Sequence, residues 1–249
     1  QFFQAEDCIL YIHCSLVGSE MCIRDSQEAD ATKARRVLPH HAMTEVTDDE
    51  IAPIQKMVGE RQIGRLGVVG SNDVTAPVIE ESYRRFLSVF DAQLQNSRFL
   101  FGMRPASSDF AVMGQLTCLA LFDPTPAALT AEHAPRVYAW TEVMEDLSGL
   151  EPGDDDWAGA DQLPESVRGL LGEVGHFHAP FLLANADAIE RGAERVEAEI
   201  AGKPWVQKPF PYQKKCLTWL RESHARLDAE ARSTVDGLLA GTGCEALFA

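Results

Sequence analysis

Two histidines set two residues apart, His176-Phe177-His178, are the first place in this chain to look for chemistry. On a strand two imidazoles at that spacing can share a metal ion, whereas on a helix they point to different faces. Glu173-x-x-His176 has the spacing of di-iron helix bundles, but such bundles need two copies and further carboxylates, and the chain has one copy. His40-His41 has no third ligand nearby and reads as a pair of surface histidines. Glu151-Pro-Gly-Asp-Asp-Asp-Trp157 is rich in carboxylates but lacks the alternating oxygen ligands and the glycine of a calcium loop, so it reads as a solvated acidic loop. No metal is expected. The cysteines are Cys8, Cys14, Cys22, Cys118, Cys216 and Cys244, with no C-x-x-C and no zinc spacing. Lys214 and Lys215 precede Cys216, yet neighbours in sequence do not face one another on a helix, so neither is placed to stabilise a thiolate. Gly64-x-x-Gly67-x-x-Gly70 has the wrong spacing for a dinucleotide loop, and no nucleophile elbow, P-loop or zinc-protease motif is present. No catalytic residue is expected within this chain.

Composition narrows the partners. The chain has 249 residues, 45% of them hydrophobic, enough for one large core or two small ones. A formal net charge of -16 argues against nucleic acid and anionic membrane, both of which call for a basic surface. No apolar run reaches the roughly 18 residues of a membrane span. The cysteine pattern fits a reducing cytoplasm better than a disulfide framework. Residues 1–26, QFFQAEDCILYIHCSLVGSEMCIRDS, hold half the cysteines and no helix or strand period. They resemble translated sequencing-adapter peptides fused to open reading frames in metagenomic assemblies, and they lack the basic start and small-residue cleavage site of a signal peptide. On that reading they are not native, and the native chain begins upstream of Gln27. They contain one base, Arg24, and four acids, Glu6, Asp7, Glu20 and Asp25, so 21 bases still face 34 acids without them.

Residues 27–46 are polar and basic and read as a linker or remnant. Thr47-Asp-Asp-Glu50 has the form of a capping box, followed by Ile51, Ile54, Met57 and Val58 at helical spacing. A second helix restarts at Thr75-Ala-Pro77, with Ile79, Tyr83, Phe86, Leu87, Phe90 and Leu94 on one side and Glu80–Arg84 and Glu81–Arg85 available as pairs on the other. After a turn at Gly102, a nearly continuous apolar run from Phe110 to Phe122 predicts a helix buried on all sides. Asp123-Pro-Thr-Pro126 stops it, and Pro135 opens a helix with Val137, Trp140, Met144 and Leu147 facing inward. Beyond the acidic loop, helices are predicted from Pro164, over 180–191, over 213–227 and over 229–239. Val196–Ile200 and Trp205–Gln207 around Gly202 read as a β-hairpin, with continuation of the preceding helix as the alternative.

Gly102-x-x-Pro105-x-x-x-Asp109-Phe110, leading into an apolar helix, resembles the start of the central buried helix in the C-terminal domain of glutathione transferases. The resemblance covers roughly Asp48 to Leu150. That family usually carries Ser or Thr directly after the proline as the helix cap, in a box with the aspartate; here the position is Ala106, so Ser107 or Ser108 is expected to cap the helix together with Asp109. The resemblance implies an all-α, glutathione-transferase-like bundle over 47–150; the helical extension over 151–249, with its hairpin, is tied to it only by adjacency. The resemblance also implies a cytoplasmic, homodimeric parent enzyme that transfers glutathione to a small electrophile, or reduces with it. In that family a thioredoxin-like N-terminal domain binds glutathione and supplies the Ser, Tyr or Cys that acts at its thiol. This chain shows no βαβ pattern, so that half is expected to be missing. The helical half would line the co-substrate pocket, through Met57, Arg61 and Arg65 on the first helix and Phe110 and Met113 on the central one. The alternative, from a different class, is a non-catalytic helical binding module built on the same fold.

Overall fold

The computed structural model describes residues 28–249; the adapter-like segment, with Cys8, Cys14 and Cys22, lies outside them. The fold is helical with one small antiparallel sheet. In chain order the helices are α1 (Glu28–Val37), α2 (Asp48–Arg65), α3 (Ala76–Leu94), α4 (Ser107–Leu116), α5 (Pro124–His133), α6 (Pro135–Met144), α7 (Glu165–Glu173), α8 (Ala179–Glu190), α9 (Pro211–Arg226) and α10 (Ala229–Leu239). Strands β1 (Val196–Ile200) and β2 (Lys203–Gln207) lie between α8 and α9. Two helices run on into wider π-helical turns, α4 through Thr117–Phe122 and α7 through Val174–His178. Among the described residues no helix is long and apolar enough to cross a membrane.

The strongest sequence signal builds the centre. Ile79, Tyr83, Phe86, Leu87 and Phe90 of α3 are all buried, and Phe90 meets Trp140 of α6 edge to face at 4.9 Å. The core around α3 also takes in Val167, Leu170, Phe181, Val196, Ile200 and Trp205, so residues on either side of the acidic loop share it. A second apolar cluster joins α7, α8, α9, α10 and the tail through Leu171, Leu182, Leu217, Leu220, Val235 and Leu247. Arg85 ties α3 to α7: its Nε donates to both carboxylate oxygens of Glu173, at 2.9 and 3.0 Å. The hairpin forms as its alternating pattern predicts, with Val196 opposite Gln207 and Ile200 opposite Lys203. Its two-residue turn puts Ala201 at φ 49° and Gly202 at φ 73°, the pairing that matches strand twist.

Three expectations change. Part of the stretch read as a linker is helix α1, which packs on α2 and α5. Its buried side is Asp30, Ala31 and Ala34, too small and polar to give a hydrophobic signal. Asp30 accepts the Thr125 N–H at 2.8 Å, and the Lys33 ammonium donates to the Phe122 carbonyl while sitting 4.6 Å above that ring. The Pro-rich stop after Phe122 is itself the start of α5 rather than a plain turn, because Pro124 is tolerated where a helix has no N–H partner to lose. Thirdly, α4 is buried along one side only. Val112, Leu116, Leu119 and Ala120 go into the core, while Phe110 stays 49% exposed and Gly114 lies at the surface.

Candidate functional site

The best-defined local structure is the start of α4. Asp109 is fully buried and uses both carboxylate oxygens: Oδ2 accepts the Ala106 N–H and Oδ1 accepts the Leu100 N–H, each at 2.9 Å. One side chain thus fixes the helix start and the apolar turn before it. Ala106 stands at the cap position with no side-chain acceptor to offer, and Ser107 and Ser108 fall inside the first turn. The expected serine cap is therefore replaced by Asp109 reaching back; the buried Ser108 hydroxyl has no hydrogen-bond partner. A carboxylate in the first turn also meets the positive end of the helix, which favours its ionised form.

The turn before α4 is clasped by the acidic loop. Met103 N–H donates to the Asp156 carbonyl at 2.8 Å, and Ala158 N–H donates to the Phe101 carbonyl at 2.9 Å. Gly102, at φ 128°, lies so close to the Asp156 carbonyl that a Cβ could not fit. Arg104 sits 4.7 Å over the Trp157 ring and donates to the Gly153 carbonyl and to Asp154. The loop is therefore anchored through its backbone, while the side chains of Glu151, Asp154 and Asp155 face water.

Beyond this clasp runs the uncovered side of α4. Phe110, the half-buried Met113, the exposed Gly114 and the half-buried Thr117 and Leu121 follow one another at helical spacing, with Met103, 53% exposed, just before the helix. Among the described residues, a Cβ on Gly114 would meet nothing within 4 Å. Met103 and Phe110, with the half-buried Met113 and Leu121, thus leave an apolar strip at the surface of α4.

The expected pocket residues are distributed over two helices, α2 and α4. Met57, Arg61 and Arg65 lie on the exposed side of α2, which packs on α1 and on its flanking turns. Among the described residues, no hydrogen bond, ion pair or ring contact joins them to Phe110 or Met113. No protein-family model, curated protein or solved structure matches this chain.

Three side chains, His178, Cys244 and Tyr83, have their titration moved by loss of water around them. Burial pulls the His178 imidazole down to about 3 and pushes the Cys244 thiol up to about 11. Burial, helped by Asp123, also raises the Tyr83 phenol, although its hydroxyl shares a 2.6 Å hydrogen bond with Thr130. Cys244 is sealed in, with its Sγ 3.1 Å from the Leu171 carbonyl. His176 and His178 sit on the π-helical turn rather than on a strand, and Glu173 is taken by Arg85. Among the described residues, no three of His, Cys, Asp and Glu converge on a point that could hold a metal.

Sequence reasoning missed Asn185 and Arg168. Buried Asn185 clamps Phe210, accepting its N–H at 2.8 Å and donating to its carbonyl at 3.0 Å. Arg168 closes the end of α10 by donating to the carbonyls of Gly237, Leu238 and Ala240. Both act on partners far away in the chain, which no local pattern announces.

Proposed function

We propose that this chain is the helical half of a glutathione-transferase-like enzyme, and that the open stripe of α4 is where the thioredoxin-like half and the electrophilic co-substrate meet it. The observation that carries the reading is the pairing of an Asp109-fixed helix start with an apolar side left uncovered on that same helix. In this reading, glutathione and the residue that stabilises its thiolate belong to the other half. Phe110 and Met113 supply apolar wall for a small electrophile, with Met57, Arg61 and Arg65 of α2 as further pocket residues. The full enzyme is cytoplasmic and homodimeric, and needs no metal.

The test has two parts. The chain as given is expected to pass through glutathione resin without competable retention. The same chain extended by the upstream coding sequence of its locus is expected to bind the resin and to conjugate 1-chloro-2,4-dinitrobenzene. If the upstream sequence encodes no thioredoxin-like βαβ…ββα unit, the reading is overturned in favour of the non-catalytic binding module.

A further inference from the structure

The open stripe of α4 has a rim, and the rim is charged. The acidic loop is held against the start of α4 by the Met103–Asp156 and Ala158–Phe101 backbone hydrogen bonds and by the Gly102–Trp157 pairing. Those contacts use main chain and leave the Glu151, Asp154 and Asp155 side chains at the surface. Arg104, the one base in the turn, is already committed to the Trp157 face, the Gly153 carbonyl and Asp154. The Met103 end of the stripe therefore lies against the loop that carries these carboxylates.

We propose that this stripe docks an amphipathic helix whose apolar side is flanked by lysine or arginine, and that Asp154 and Asp155 supply the opposing charge. The shape favours a helix. Gly114 forms a notch with open space above it, between Phe110 one turn before and Thr117 and Leu121 after it, and a ridge of side chains on a second helix fits such a groove. The charge disfavours a second copy of this chain, because a protein of net charge -16 would bring the same carboxylates to the contact. It disfavours an anionic membrane for the same reason. The inference extends the reading above by giving the covering element a chemistry, and it rests on that reading only in requiring the stripe to be covered.

The probe is a fluorescein-labelled leucine–lysine peptide of about four helical turns, titrated with the full chain and followed by fluorescence anisotropy. Its leucine–glutamate counterpart serves as the charge control. The leucine–lysine peptide is expected to bind, with affinity falling as salt rises, and the glutamate version is expected not to bind. Asp154→Asn with Asp155→Asn is expected to weaken binding about tenfold. Glu197→Gln with Glu199→Gln, which removes equal charge from the distant hairpin, is expected to leave it within about twofold. Gly114→Gln fills the notch from a site with no neighbour to disturb and is expected to abolish binding. Equal losses from the two paired charge variants would mean that the peptide answers only to net charge, and would overturn the proposal. Dependence on Gly114 without dependence on Asp154 and Asp155 also overturns the basic rim but leaves a covered stripe intact. Dependence on neither removes both.

Discussion

Two helices of this protein end alike and are used in opposite ways. Helix α4 and helix α7 both widen into a π-helical turn, and both carry a glycine along the way. Gly175, in the turn after α7, is buried with the Thr242 carbonyl and the Cys244 N–H pressed against its Cα, so that no side chain could fit. Gly114, in α4, looks onto open space. A wide turn is itself a departure from regular hydrogen bonding that is found disproportionately at functional places. Here the comparison separates two uses. At Gly175 the gap is filled by the protein's own tail and the result is a seal. At α4 the described residues supply nothing, and the apolar side remains at the surface.

The largest expected effect falls on the seal. Gly175→Ala places a methyl group into backbone that cannot swing aside, so unfolding free energy is expected to fall by about 3 kcal/mol, seen as a lower urea midpoint. Cys244 is expected to become reactive toward iodoacetamide in that variant while remaining protected in the wild type. A Cys244 that stays protected in Gly175→Ala would show that the tail is held elsewhere, and the contrast with α4 would lose its sharper half.

Next comes Asp109→Ala. It leaves two buried N–H groups without an acceptor, at a cost of about 3 kcal/mol, and frees the turn to which the acidic loop is bound. Asp109→Asn keeps one acceptor oxygen and is expected to cost less. Ser108→Ala is expected to change the midpoint little, since its hydroxyl has no hydrogen-bond partner to lose. A serine variant as damaging as Asp109→Ala would restore the serine cap.

Acid should act on the α7 side. The His178 imidazole is held down to about 3, so the folded protein keeps it neutral while the unfolded chain takes up a proton near the ordinary histidine value of about 6.5. The unfolded state then binds more protons, and stability rises with pH between those two values. Its contribution is complete above about 6.5 and is lost as pH falls toward 3. Urea midpoints measured from pH 7 down to pH 5 are expected to drop, and to drop less in His178→Gln. Parallel slopes for the two proteins would place the acid response on other groups.

How much of this was legible in the sequence depended on whether the cause was local. The α3 stripe, the Thr47–Glu50 box, with Glu50 Oε2 taking the Thr47 N–H at 3.0 Å, and the Ala201-Gly202 hairpin all follow from residues a few positions apart. Asp109 was visible as a first-turn acid, though not its second bond back to Leu100. Helix α1 was hidden because its buried side is two alanines and an aspartate, too small and polar to stand out in a stretch rich in charge. The half-open state of α4 could not be read from composition, since an apolar helix looks the same whether its last side is covered by this chain or by another. Exposed Met57, Arg61 and Arg65 share a side of α2, as their spacing predicts, but only tertiary packing decides what that side faces.

The smallest expected effect is also the one that turns on the comparison most directly. Gly114→Ala puts a methyl group where nothing lies within 4 Å and replaces a poor helix former with the best one. The isolated chain is expected to gain up to about 1 kcal/mol, read as a higher urea midpoint, which is the opposite sign to Gly175→Ala. If a second helix sits in the Gly114 notch, the same methyl group must crowd it. Gly114→Ala is therefore expected to stabilise the chain alone and to weaken its hold on the leucine–lysine peptide. A variant that gains stability and binds the peptide unchanged would show that the notch is idle, and that α4 is open without being a site.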